Sequence, residues 1–66
     1  MKIIVNGDSK TVPESHTVSK LLENLNIQTK RVVVELNQNI LEKSNFLNTV
    51  LKEGDSVEII QFVPGG

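Results

Sequence analysis

The run Ser56-Val57-Glu58-Ile59-Ile60-Gln61-Phe62-Val63 constrains this chain more than any other segment. Branched and aromatic side chains occupy both of its alternating sets of positions, the mark of a strand placed in the middle of a sheet with a neighbour on each side. A chain of 66 residues must supply those neighbours from one domain with a thin core. The expected architecture is therefore one small sheet assembled around its last strand.

The neighbours are legible upstream. Lys2 to Val5 is a short β-branched run, and Asn6-Gly7-Asp8 is a turn signal because Asn and Gly tolerate the positive φ of a tight hairpin. Ser9 to Val12 returns as the second strand. Pro13-Glu14-Ser15-His16 breaks the pattern, and Thr17 then caps a helix in which Val18, Leu21, Leu22 and Leu25 fall at i, i+3, i+4 and i+7. Asn24, Asn26 and Ile27 are poor helix formers and end it near Leu25 or Asn26. From Arg31 the period switches to two, with Val32, Val34 and Leu36 on one side and Val33, Glu35 and Asn37 on the other. Asn37-Gln38-Asn39 is a turn, Ile40-Leu41-Glu42 a brief fourth strand, and Lys43-Ser44-Asn45 a loop. Phe46-Leu47 and Val50-Leu51 are expected to plug the core under that region, and Glu53-Gly54-Asp55 turns the chain into the last strand.

The class is α+β, with a four- to five-stranded sheet and one main helix whose apolar stripe covers one face. If Ile3, Val5, Val32, Val34, Val57 and Ile59 line the helix side, alternation sends Ile4, Val33, Ile60 and Phe62 to the opposite side. No element remains to cover them. An uncovered apolar patch of this kind marks a docking surface.

Composition removes several function classes. Seven Lys and Arg against eight Asp and Glu leave a net charge of −1, no basic block is present, and two Phe are the only aromatics. Nucleic-acid binding thus lacks its usual footprint. Cysteine is absent, which excludes disulfides, thiolate nucleophiles and cysteine metal sites. No apolar run at the start is long enough for a signal segment or a membrane span, so a cytoplasmic protein with no membrane contact is expected. His16, in a Ser-His-Thr segment, reads as a solvated loop residue, and Asp55 after Gly54 as turn chemistry. Glu35 and Glu58 fall on a strand face, as solvated charges or partner contacts. No pair supplies a nucleophile and its base, and a chain this short has no room for an enzyme cleft.

After the last strand the sequence ends in Val63-Pro64-Gly65-Gly66. The expected division is a domain over 1–62 and a flexible tail over 63–66. Two glycines without Cβ atoms pass through a narrow channel, and four extended residues reach roughly 13 to 14 Å, enough to carry a terminal carboxylate into another protein's active site.

In this order and spacing, Met1-Lys2-Ile3-Ile4-Val5-Asn6-Gly7, Thr17-Val18 with Leu21-Leu22, Val34-Glu35-Leu36-Asn37 with Ile40, Gly54-Asp55, Val57-Glu58-Ile59-Ile60 and the terminal Gly65-Gly66 resemble the ThiS family, the sulfur carriers of thiamin biosynthesis. The chain departs from that pattern at Glu42-Lys43-Ser44, where Pro-Arg-Ser is common, and at Pro64, where a small residue is common. The resemblance implies a ubiquitin-like β-grasp fold with a mixed sheet. It also implies a carrier, itself no enzyme and without a bound cofactor, whose Gly66 carboxylate is adenylated by a ubiquitin-activating-type adenylyltransferase. ATP and magnesium belong to that partner. The adenylate is then converted, with sulfur derived from a cysteine-based donor, to a thiocarboxylate that serves thiazole synthase. Val63, Pro64 and Gly65 would enter the partner's active site, and Ile4, Val33, Ile60 and Phe62 would form the binding face. Two alternatives stay open: a molybdopterin-synthase small subunit, which gives its sulfur to a pterin, and a ubiquitin-like modifier or interaction module, joined through Gly66 to lysines.

Overall fold

A computed structural model describes residues 1–62; the expected tail Val63, Pro64, Gly65 and Gly66 lies outside the described residues. The elements are β1 (Lys2–Val5), β2 (Asp8–Thr11), α1 (Val18–Asn24), β3 (Val32–Leu36), β4 (Asn39–Leu41) and β5 (Ser56–Gln61), with short 3-10 turns at Thr29–Arg31 and Lys43–Asn45. One five-stranded sheet runs in the order β2-β1-β5-β3-β4. The last strand is central, as its sequence requires: it lies parallel to β1 and antiparallel to β3.

Two tight turns fix the register of the outer strands. Val5 pairs with Asp8 across Asn6 and Gly7, at φ 49° and 87°, and Leu36 pairs with Asn39 across Asn37 and Gln38, at φ 51° and 72°. Positive φ at both central residues matches the twist of the flanking strands. Asn37 also ties its turn to the start of β5: its Oδ1 accepts from the Ser56 amide at 2.9 Å and its Nδ2 donates to Asp55 Oδ1 at 3.1 Å. The other Asp55 oxygen accepts from the Lys52 amide at 2.8 Å, which closes the turn containing Gly54 at φ 84°. Asp55 is turn chemistry, as its sequence context indicates.

Helix α1 is too short to stand alone, and its ends are satisfied from outside. Thr17 Oγ1 accepts from the Lys20 amide at 3.1 Å. The two amides that no cap reaches donate to the following loop, Val18 to the Thr49 carbonyl and Ser19 to the Phe46 carbonyl, each at 3.0 Å. At the other end Asn26 takes φ 59°, its amide donates to the Glu23 carbonyl, and the Ile27 amide donates back to Leu22. That pattern, with a left-handed residue one position past the cap, terminates the helix at the site its poor helix formers indicate. Thr17→Ala removes the cap and is expected to lower stability by about 1 kcal/mol with binding of partners unchanged, read as a shift in the urea midpoint.

The core joins the inner sheet face to the helix stripe: Ile3, Val5, Val32, Val34, Val57 and Ile59 meet Val18, Leu21 and Leu22, with Val12, Phe46 and Leu51 closing the rim. Strand alternation is borne out at all six sheet positions. The expected plugs divide, however. Phe46 and Leu51 are buried, whereas Leu47 and Val50 are exposed. The 3-10 turn at Lys43–Asn45 and the isolated bridge from Thr17 to Val50 give the loop a turning backbone that sends successive side chains in opposite directions. His16 is a second correction. It is buried, not solvated, and its Nε2 lies 3.2 Å from Asn24 Nδ2. An amide nitrogen only donates, so Nε2 is the acceptor, and the pair fastens the loop before the helix to the helix's last turn.

Candidate functional site

The sheet face away from α1 is where the expected binding residues lie. Val33 on β3 and Ile60 on β5 are direct cross-strand partners. Ile60 is 45% exposed and Phe62, two residues further along the same side, 57%. The Phe62 amide still donates to the Arg31 carbonyl at 2.8 Å, so bonding to the β3 side continues through Phe62. Val33, half-buried, lies beside Ile60 on the neighbouring strand. Ile4 belongs to the same face and is 41% exposed, but it pairs beside Ser56. At the rise of a strand this puts it roughly 13 Å from Ile60 along β5. The structure therefore brings Val33, Ile60 and Phe62 together at the root of the terminal segment and holds Ile4 apart.

Between the two apolar groups lies a row that alternation alone does not assemble. Ile40 on β4 is in register with Glu35 on β3, and Glu35 with Glu58 on β5. All three share the open face, and Ile40, at 72% exposed, is among its most prominent apolar side chains. Ile40 is an exposed apolar residue of the open face that the sequence reading left out of its candidate set. The signal was present in Asn37-Gln38: a two-residue turn puts Asn39 opposite Leu36 and hence Ile40 opposite Glu35.

The edge of β5 adds a backbone feature. Its pairing with β1 runs only through Ser56 and Val57. Where β1 turns away, Asn6 Oδ1 accepts from the Ile59 amide at 2.7 Å and replaces the missing ladder bond. Beyond that point β3 alone flanks the strand. Among the described residues, no group of three or more His, Cys, Asp or Glu is placed to hold a metal ion. The geometry leaves an exposed apolar sheet face, a candidate docking surface, that reaches the C-terminal end of β5.

This fold, a mixed sheet grasping one helix with one face left open, defines a β-grasp protein. Residues 3–66 match the model of the ThiS family, and the chain belongs to that family. Its sequence is 35% identical, over 94% of the chain and 96% of the relative, to the sulfur carrier protein ThiS of Bacillus subtilis. It is also 36% identical over its whole length to thiazole synthase of Paramagnetospirillum magneticum. The chain spans about a fifth of the length of the thiazole synthases it matches, 20% in each case. Among solved structures, the thiamine biosynthesis protein ThiS of Geobacter metallireducens superposes with a TM-score of 0.85 at 43% identity, with both chains covered completely.

Proposed function

We propose that this chain is the sulfur carrier of a thiamin thiazole pathway, loaded as a thiocarboxylate on Gly66. The observation that carries the reading is the match of residues 3–66, Gly65 and Gly66 included, to a carrier family, on a body whose uncovered apolar face runs to the end of β5. A carboxylate is a poor electrophile. One Gly66 oxygen attacks the α-phosphorus of ATP and displaces pyrophosphate, giving an acyl adenylate. Hydrosulfide released from the sulfur donor then attacks the carbonyl carbon and AMP leaves with one of the original carboxylate oxygens, so that sulfur replaces oxygen at the terminus. The ATP site and its magnesium belong to an adenylating partner enzyme, and this chain contributes reach and address.

The match to about a fifth of two thiazole synthases supports thiazole synthase as the receiving partner, since a carrier joined covalently to its acceptor enjoys a raised effective concentration. A reaction that consumes ATP supports a cytoplasmic setting for the carrier. No helix of the described residues is long and apolar enough to cross a membrane.

The loading test is intact mass: incubation with the adenylating enzyme, ATP, magnesium and a sulfur source yields one sulfur-for-oxygen exchange confined to the C-terminal peptide. Absence of the exchange, or ladders of this chain linked to lysines of other proteins, overturns the reading in favour of a modifier. Exchange with transfer to a pterin overturns only the thiazole assignment. Docking is tested separately. Phe62→Ala is expected to weaken binding to the adenylating enzyme about thirtyfold, the effect of truncating an anchor worth about 2 kcal/mol, while the monomer keeps its melting temperature within a few degrees.

A further inference from the structure

We infer that Glu35 and Glu58 together receive an arginine of the docked partner, so that the surface fitted to the open sheet face carries a guanidinium set among apolar side chains. The inference rests on the docking reading above and adds to it the chemistry of what docks.

The two glutamates are direct partners across β3 and β5 and project from the same face. Like charges in that position repel and weaken a sheet. Several polar side chains of the described chain have evident structural work: Asp55 closes a turn, Asn6 completes the β5 ladder, Glu53 accepts from the Lys2 amide at 2.9 Å and Glu23 pairs with Lys20 at 3.7 Å. Asp8 and Glu42 have no such partner but also face no like charge across a ladder. Glu35 and Glu58 lack a partner as well, yet face each other. Among the described residues neither takes part in an ion pair or a side-chain hydrogen bond, and Glu35 is half-buried. The fold thus retains two adjacent carboxylates, one of them partly withdrawn from water, with no cation of its own to meet them.

Their surroundings select the cation. Ile40 stands on one side in the same row, and Val33 with Ile60 forms the next row toward Phe62. A guanidinium is planar, weakly hydrated and carries five donors in a fork, so it spans two carboxylates while its flat faces rest on aliphatic side chains. A lysine ammonium is a strongly hydrated point charge and gains little from apolar walls. A partner surface matched to this face therefore presents apolar groups to Val33, Ile60 and Phe62 and an arginine to the row between them and Ile4.

The test measures binding of the purified adenylating enzyme from the same organism to Glu35→Gln, Glu58→Gln and Phe62→Ala carriers, by calorimetry at low and high salt, beside the melting temperature of each free carrier. Each Gln variant is expected to bind about tenfold more weakly, the loss of a charge-assisted hydrogen bond, and to show a flatter salt dependence. Each should melt at or above the wild-type temperature, because a repulsion has been removed. Gln variants that bind as tightly as wild type, while Phe62→Ala binds weakly, overturn the arginine assignment and leave the docking face in place. If all three bind as wild type, the docking reading itself fails. A Gln variant that melts well below wild type shows that the carboxylates serve the fold and also overturns the inference. A Glu58→Arg carrier whose lost binding is restored by an Arg→Glu substitution in the enzyme supports it directly.

Discussion

Deleting Gly66 is expected to abolish thiocarboxylate formation while leaving the folded body intact. The shortened chain still ends in a glycine carboxylate, so any loss is a matter of placement and not of chemical type. One residue fewer shortens an extended segment by roughly 3.3 to 3.6 Å, whereas an attacking oxygen must approach within about 3 to 3.5 Å of the phosphorus to react. The deletion withdraws the carboxylate by the whole of that distance. Folding is insulated, because every buried core side chain of the described chain lies between Ile3 and Ile59. Intact mass after incubation with the adenylating enzyme, ATP and a sulfur source checks the first half, and a urea melt the second. Wild-type loading of the truncated chain is the result that would overturn Gly66 as the required point of attachment.

Phe46→Ala is expected to do the reverse. This ring is 3% exposed at the rim of the core, and the backbone that carries it also receives the Ser19 amide at the start of α1. Truncating a core phenylalanine costs about 3 to 5 kcal/mol. A single core of this size rarely supplies more than about 3 to 5 kcal/mol in total, so the substitution consumes most of the stability. The expected outcome is a largely unfolded chain at ambient temperature, seen as loss of dispersed amide resonances. A stable folded variant would place Phe46 outside the cooperative core. The two phenylalanines of this chain thus fall on opposite sides of the division between body and surface: Phe46 is buried in the core, and Phe62 is exposed on the open sheet face, where the proposed docking would engage it.

Much of this was readable before any coordinates, and the reasons are local. The hairpin at Asn6-Gly7, the stripe Val18, Leu21, Leu22 and the alternation through Val32, Val34 and Leu36 each depend on neighbours in sequence, so their periods survive in the string of letters. His16 was misread because its burial and its bond to Asn24 arise only once the loop packs against the helix, and a single polar residue has no period. Leu47 and Val50 were misread for a related reason: hydrophobicity alone assigns a side chain to the core, but a tightly turning loop of so few residues has room to point only some of them inward. The row Ile40, Glu35, Glu58 required three strands to be aligned at once. Its register was implicit in the turn at Asn37-Gln38 and in the pairing of β3 with β5, yet only the second of these joins segments distant in sequence. Parallel pairing of β1 with β5 is likewise a property of the assembled sheet, since nothing in Lys2–Val5 distinguishes a parallel from an antiparallel neighbour.

The central position of β5 has a mechanical consequence. A partner that draws the C-terminus into a channel pulls along the axis of a strand held by β1 on one side and β3 on the other. Ladder hydrogen bonds lie across the strand direction, so tension along the strand loads many of them at once in shear and does not peel them one by one. The body is thereby built to bear traction at the end where the proposed loading takes place, so that an enzyme drawing on the terminus would not unravel what it is attached to.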